Sequence, residues 1–236
     1  MERLDQQIRF VTEIDRLKGV LRQTTLAGPG RRENSAEHSW HLAVMALALA
    51  EHAPPGTDIA RVTAMVLVHD LVEIDAGDLF VYADEEQQAR QEEAERAAAD
   101  RIFALLPPDQ AASFRGLWDE FEERRTPEAR LARALDRLQP MLENLKVGGG
   151  TWQEHGITAD QVLAKVALIE DGSPAGRVGR RPARRGAGCS TSAITRLAMK
   201  RAVRTGDPPR VSSLTSTCPR RVTTSTRRPA RVAATS

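Results

Sequence analysis

The chain lacks the features that would mark most non-globular or exported proteins. No apolar run approaches the ~18 to 20 residues needed to span a bilayer, so a membrane protein is not expected. The first residues, Met1-Glu2-Arg3-Leu4-Asp5, carry no apolar leader, and export is not expected. Only two cysteines are present, Cys189 and Cys218, too few for a disulfide framework. A reducing, cytoplasmic setting fits. Aromatics are 4% of the chain, and no segment shows the apolar–polar alternation of a half-buried strand. With 236 residues, 41% hydrophobic and 28% charged, the composition is that of a globular chain large enough for one substantial core.

A net charge of +2 conceals two unlike pieces. Residues 1–171 hold 19 Lys and Arg against 31 Asp and Glu, a net of −12. Residues 172–236 hold 15 Lys and Arg against one acid, a net of +14. This second piece has 17 Ser and Thr, no aromatic, and only eight Val, Ile, Leu or Phe. It cannot bury enough apolar surface to offset the entropy of ordering, so a disordered tail is expected. Scattered arginines can contact phosphates, but no aromatic is there to stack a base, so nucleic-acid binding is not favoured. Arg, Pro, Ser and Thr also dominate GC-rich DNA read out of frame, and the tail has the composition of a frameshift product.

The first piece reads as helices. Leu4, Ile8, Val11, Ile14, Leu17 and Leu21 fall at steps of three and four and predict a helix from Leu4 to Leu21 with one apolar face. After a Gly-Pro-Gly loop, Asn34 and Glu37 form a capping-box pattern ahead of a buried helix through Ala50. Thr57 or Asp58 caps the next helix, whose apolar stripe of Ile59, Val62, Val66, Leu67 and Leu71 leads to His69, Asp70 and Glu73. Asp75 to Ala83 reads as a loop. Helices follow from Asp84 to Leu106 and from Pro108 to Arg124. Thr126-Pro127 opens another, with a kink or break expected at Pro140 and an end at Gly148-Gly149-Gly150. Thr158 and Gln161 begin a last helix. The fold class is all-α.

The chemistry-bearing residues are Glu37-His38-Ser39-Trp40-His41, the His69-Asp70 pair, Glu73 with Asp78, and Asp136. A His and an Asp within the apolar stretch from Ala64 to Val72 need partners, because an unpaired buried charge is costly. They can pair with each other, with Arg137, or with a cation. Glu73 is four residues after His69 and three after Asp70, which puts all three on one face of a continuous helix. With His38 and Asp136 the set has two His and two Asp, suited to Mn, Co, Ni, Fe or Zn rather than Ca. Taken singly, each residue has a plainer reading. An isolated His on an apolar face is more often a core residue, which is the reading for His41, His52 and His155. Asp136 alone can serve Arg133 or Arg137.

The order of these residues resembles the HD-domain metal-dependent phosphohydrolases. The segment from His69 through Glu73 to Gly77-Asp78 is similar to the HDxxE…GD segment of the 5'-nucleotidase branch, and Arg31 to Ser39 resembles the approach to its first ligand. The resemblance spans Ile8 to Ile169. It implies a single helical bundle over residues 1–171 with a divalent ion (Mn, Co, Ni, Fe or Mg) held by His38, His69, Asp70 and Asp136. It implies that Glu73 orients or deprotonates the attacking water, that Asp78 assists proton transfer or holds the substrate, and that Arg22 contacts the substrate phosphate. The substrate implied is a small phosphate ester, foremost a nucleoside 5'-monophosphate. Homodimers are common in this resemblance. In bacterial 5'-deoxynucleotidases an aromatic residue follows the arginine and helps select deoxyribose, and here Gln23 stands there. The alternatives are an HD hydrolase of another phosphate ester or nucleotide, and a non-catalytic metal-stabilised scaffold whose basic tail binds nucleic acid.

Overall fold

The computed structural model describes residues 2–28, 30–162 and 164–165. The basic segment from 172 to 236, with the disorder and frameshift readings made for it, lies outside the described residues.

Among the described residues are eight helices and one short hairpin: α1 (Arg3–Ile14), β1 (Leu21–Thr25), β2 (Arg32–Asn34), α2 (Ser35–Ala48), α3 (Ile59–Val68), α4 (Glu73–Ala76), α5 (Glu85–Phe103), α6 (Pro108–Glu123), α7 (Pro127–Lys146) and α8 (Gly150–Glu154), and residues 159–162 and 164–165 are helical as well. The all-α class holds. The starts are chemically specified. Asn34 accepts from the Glu37 N–H while the Glu37 side chain returns to the Asn34 N–H, and Asp84 with Gln87 repeats the arrangement at α5. Thr126 caps α7 with Pro127 in its first turn. The segment after Ile157 is opened by Thr158 and Gln161, each bonding the other's N–H.

Two apolar clusters hold the helices together. One joins α2, α3 and α7 through Leu42, Met45, Val62, Val66, Leu135 and Leu138. The other joins α1, α5 and α6 through Phe10, Ile102, Phe103 and Trp118, and it includes Leu71 and Val72 from the turn after α3. That turn therefore lies where the two clusters meet, and burial on both sides fixes it.

Several expectations are corrected. The helix expected from Leu4 to Leu21 stops at Ile14, passes through a 3-10 turn (Asp15–Gly19) and becomes β1. Its stripe does not enter the core as a unit: Leu4, Ile8 and Val11 are exposed, and Phe10 and Leu17 carry the burial. On α2, Trp40, Val44 and Leu47 face outward, and so does Leu67 on α3. The β1–β2 hairpin has a polar sequence, Arg22 to Thr25 against Arg32 to Asn34, and so lacks the apolar alternation that reveals a strand. Of the kink or break expected at Pro140, the break is absent, for α7 runs through Pro140 to Lys146.

Candidate functional site

His69 and Asp70 do not extend α3. They form a 3-10 turn (His69–Val72) between α3 and α4. The Val66 carbonyl, which a continuing α-helix would assign to the Asp70 N–H, accepts the His69 Nδ1–H at 2.9 Å. A carbonyl only accepts, so Nδ1 carries the hydrogen and Nε2 is left with its lone pair pointing into the site.

His38, fully buried in the first turn of α2, is oriented by a similar argument two residues deep. The amide nitrogen of Gln139 donates to Glu33 Oε1 at 2.8 Å, which turns its oxygen toward His38 Nδ1 at 3.0 Å. Nδ1 is then the donor, and Nε2 faces Asp136 Oδ1 at 3.1 Å. A carboxylate that orients a histidine at one remove is a common support for metal-binding imidazoles.

Nitrogen and carboxylate atoms of His38, His69 and Asp136 thus lie within 4.8 Å of one another, all three residues buried. Asp70 adjoins this set. Its Oδ1 is 2.9 Å from His69 Nε2, and its Oδ2 accepts from Arg22 Nη1 at 2.9 Å. The His69 Nε2 is buried and makes no hydrogen bond, although carboxylate oxygens approach it. Lone pairs of two imidazoles and anionic oxygens of two carboxylates converging in one buried place require a cation. The donor set fits a divalent ion such as Mn, Co, Ni or Fe.

Protons supply that charge when no ion does. Burial works against a charged His69, yet the Asp70 and Asp136 carboxylates outweigh it and push the imidazole up to about 10. Asp70 is driven the other way, down to about 2: burial opposes its charge, and His69 and Arg22 overcome that opposition. Asp136 is held well below the usual carboxylate range, its burial offset by His38 and His69. The consequence for the metal-free protein has a definite sign. The stabilisation from His69 is fully present below its ordinary 6.5 and is lost as pH rises through about 10. Thermal unfolding of chelator-treated protein is expected to show Tm falling across that window. His69→Gln should flatten the slope, and a divalent ion should reverse it by taking the same atoms without their protons. An unchanged slope in His69→Gln would contradict this account.

Glu73 opens α4 and is buried beside the cluster. Its Oε2 accepts from Ser35 Oγ at 2.6 Å. Burial, with Asp70 and Asp78 nearby, pushes it well above the ordinary carboxyl range even though Arg22 pulls down. Asp78 follows Gly77, whose φ of +75° turns the chain back after α4. The Asp78 Oδ2 accepts from the Gln23 N–H at 3.2 Å, and burial raises this carboxyl too. Arg22, on β1, sits among carboxylates: besides Asp70, it has Asp78 at 3.6 Å, Glu73 at 3.7 Å and Glu33 at 3.8 Å. All seven residues singled out in the sequence are thus gathered within one neighbourhood.

Six of these seven, all but His38, border a cavity of about 350 Å³ that extends past Phe80, Tyr82 and Trp152. Residues the sequence reading missed are Glu33, Ser35 and Gln139, which act on other residues rather than on the cavity. Gln139 had one signal: it is three residues after Asp136, so a polar side chain falls in a buried phase of α7. His41 is partly buried and approaches Gln139. His155 is exposed and packs against the Phe80 ring, so it is not the core residue expected.

Comparison with known proteins agrees with this geometry. A family model described as HD domain matches residues 14–175, ending four residues past the composition break. The 5'-deoxynucleotidase HDDC2 of Danio rerio is 28% identical over 141 residues, 59% of this chain and 68% of that protein. The human protein of the same name is 28% identical over 140 residues, 57% of this chain and 67% of its own length. A crystal structure described as a predicted metal-dependent phosphohydrolase from Magnetospirillum magnetotacticum MS-1 superposes with a TM-score of 0.75 at 48% identity, covering 86% of this chain and 93% of that one. A match across most of the chain, over the same helical body that carries the His and Asp cluster, makes this protein a member of the HD domain family.

Proposed function

We propose that this HD-domain phosphohydrolase hydrolyses nucleoside 5'-monophosphates to nucleoside and orthophosphate. The observation that carries the reading is Glu73: a buried carboxyl with a raised affinity for protons, fixed by Ser35, beside a His and Asp cluster fit for a divalent ion. General acid–base catalysis needs a group poised near the working pH, and burial among other carboxylates is how a glutamate reaches that state.

His38, His69, Asp70 and Asp136 would hold the ion. A divalent ion there supplies a Lewis acid and lowers the pKa of a water. Glu73 takes the proton of the attacking water and can return it to the leaving oxygen. Ser35 keeps the Glu73 carboxyl aimed at the cluster. Arg22 holds the second oxygen of Asp70 and keeps positive charge close to the reacting phosphoryl. Asp78, tied to the Gln23 backbone, fixes the wall beside Arg22. Phe80, Tyr82 and Trp152 give the far part of the cavity an aromatic surface suited to a nucleobase. The cavity volume is within the range of small-ligand sites. The relatives named 5'-deoxynucleotidase support the same substrate class.

The Gln23 side chain accepts from Arg32, so at the position next to Arg22 a hydrogen-bonded amide replaces an aromatic wall. Comparable turnover of ribo- and deoxyribonucleoside monophosphates is therefore expected. A panel of both, with products separated, tests the reading. Orthophosphate and nucleoside are expected. Pyrophosphate or tripolyphosphate from nucleoside triphosphates, with monophosphates untouched, would overturn it.

A further inference from the structure

We propose that Arg133 and Arg137 form the cradle for the reacting phosphoryl group in the cavity that Arg22 also borders; this rests on the phosphomonoester reading above. The two arginines are four residues apart on α7, so they share one helix face, and Asp136 lies between them on that face. Arg133 Nη1 is 3.4 Å from Asp136 Oδ2, and Arg137 Nε is 3.8 Å from the same oxygen. A phosphoryl group at the His38, His69 and Asp136 cluster is within reach of both guanidinium groups.

The number of close carboxylates sets them apart from Arg22. The Arg22 charge is already matched by Asp70, with Glu33, Glu73 and Asp78 close by. The Nε atoms of Arg133 and Arg137, like that of Arg22, are buried and have no hydrogen-bond partner among the described residues, while Arg133 Nη1 donates to Asp136. Besides Asp136, Arg133 has Glu122 at 3.8 Å, a length at which an ion pair is loose, and Glu95 borders the same cavity. Buried guanidinium donors left unbonded are unfavourable unless something else takes them. An oxyanion offers the matching acceptors in a planar, two-point geometry. Arg133 is also held in place, its guanidinium 5.1 Å from the Phe121 ring, whose centroid is 4.7 Å from that of His69. Lys165 borders the same cavity and adds a third positive charge to this wall. Substrate phosphate thus meets two arginines that share one carboxylate, Asp136, where Arg22 has four carboxylates around it.

Orthophosphate binding to the full chain supplemented with Mn tests the proposal without turnover. Calorimetry on wild type, on Arg137→Gln and on the Arg133→Gln/Arg137→Gln double variant is expected to show a loss of at least ~tenfold in affinity for the double variant, the scale of a charged hydrogen bond. KM for a nucleoside 5'-monophosphate should rise more than kcat falls. Should the double variant unfold, Arg137→Lys decides instead: a lysine keeps the charge without the fork, so phosphate affinity must still weaken several-fold. Equal phosphate affinity in a folded variant and wild type overturns the proposal. So does a KM effect seen with a nucleoside 3',5'-bisphosphate and absent with the monophosphate, which would place a second phosphate, not the reacting one, on these arginines. Phosphate binding that depends on both arginines, in a protein that leaves nucleoside monophosphates intact, would uphold the cradle and reject the nucleotidase reading.

Discussion

Replacing His69 with alanine is expected to lower metal-dependent phosphate release by ~10³-fold or more. The substitution removes Nε2, the buried nitrogen that makes no hydrogen bond and points into the carboxylate cluster. Lewis-acid stabilisation of a phosphoryl transition state is worth several kcal/mol, and each ~1.4 kcal/mol is tenfold in rate. The loss should appear first as metal content: dialysed His69→Ala should retain less than its share of one ion per chain. Stability should fall as well. The Val66 carbonyl loses its partner, and the Phe121 ring loses its neighbour. Circular dichroism must therefore accompany the assay. A folded, metal-loaded His69→Ala with wild-type turnover would contradict the assignment of this residue.

Glu73→Gln is expected to behave in the opposite way toward stability. The general acid–base contribution is typically 10² to 10⁴ in rate, so kcat should fall by roughly that factor. The amide has nearly the shape of the carboxyl and still accepts from Ser35, so metal affinity should hold. A buried carboxyl surrounded by Asp70 and Asp78 is unfavourable when ionised, and its neutral isostere is not. Tm near neutral pH should rise. An inactive variant more stable than its parent is the signature of a group strained for function. Loss of activity together with loss of the metal, or of the fold, would assign Glu73 a structural role instead.

Much of the fold is local chemistry and could be read from the sequence. Asn34 with Glu37, Thr126 with Pro127, and Thr158 with Gln161 each announce a helix start that the structure contains. Periodicity is less informative, because it reveals an apolar face without saying what covers it. Leu4, Ile8 and Val11 have the spacing of a core stripe and face outward. The turn at His69 was hidden for a related reason. Whether α3 continues or tightens depends on the His69 ring finding the Val66 carbonyl, an arrangement that clusters on both sides must hold. The site was legible where residue type carries chemistry, as in His38, His69, Asp70, Glu73 and Asp136. Gln139 and Glu33 were not, because their work is to orient His38 and neither type signals that role by itself. That Arg22 sits among four carboxylates while Arg133 and Arg137 share Asp136 is likewise a property of three-dimensional neighbours.

The buried His and Asp cluster belongs to an HD-domain metal-dependent phosphohydrolase, and phosphomonoester hydrolysis is the activity proposed for it. The most direct measurement is orthophosphate release from nucleoside 5'-monophosphates by the full chain, stripped of metal and then titrated with Mn, Co, Ni, Fe or Mg. The account predicts no release from the stripped protein and recovery that saturates near one ion per chain, absent in His69→Ala. Release that persists in thoroughly stripped protein, or a folded, ion-loaded chain that leaves every monophosphate intact, would contradict it.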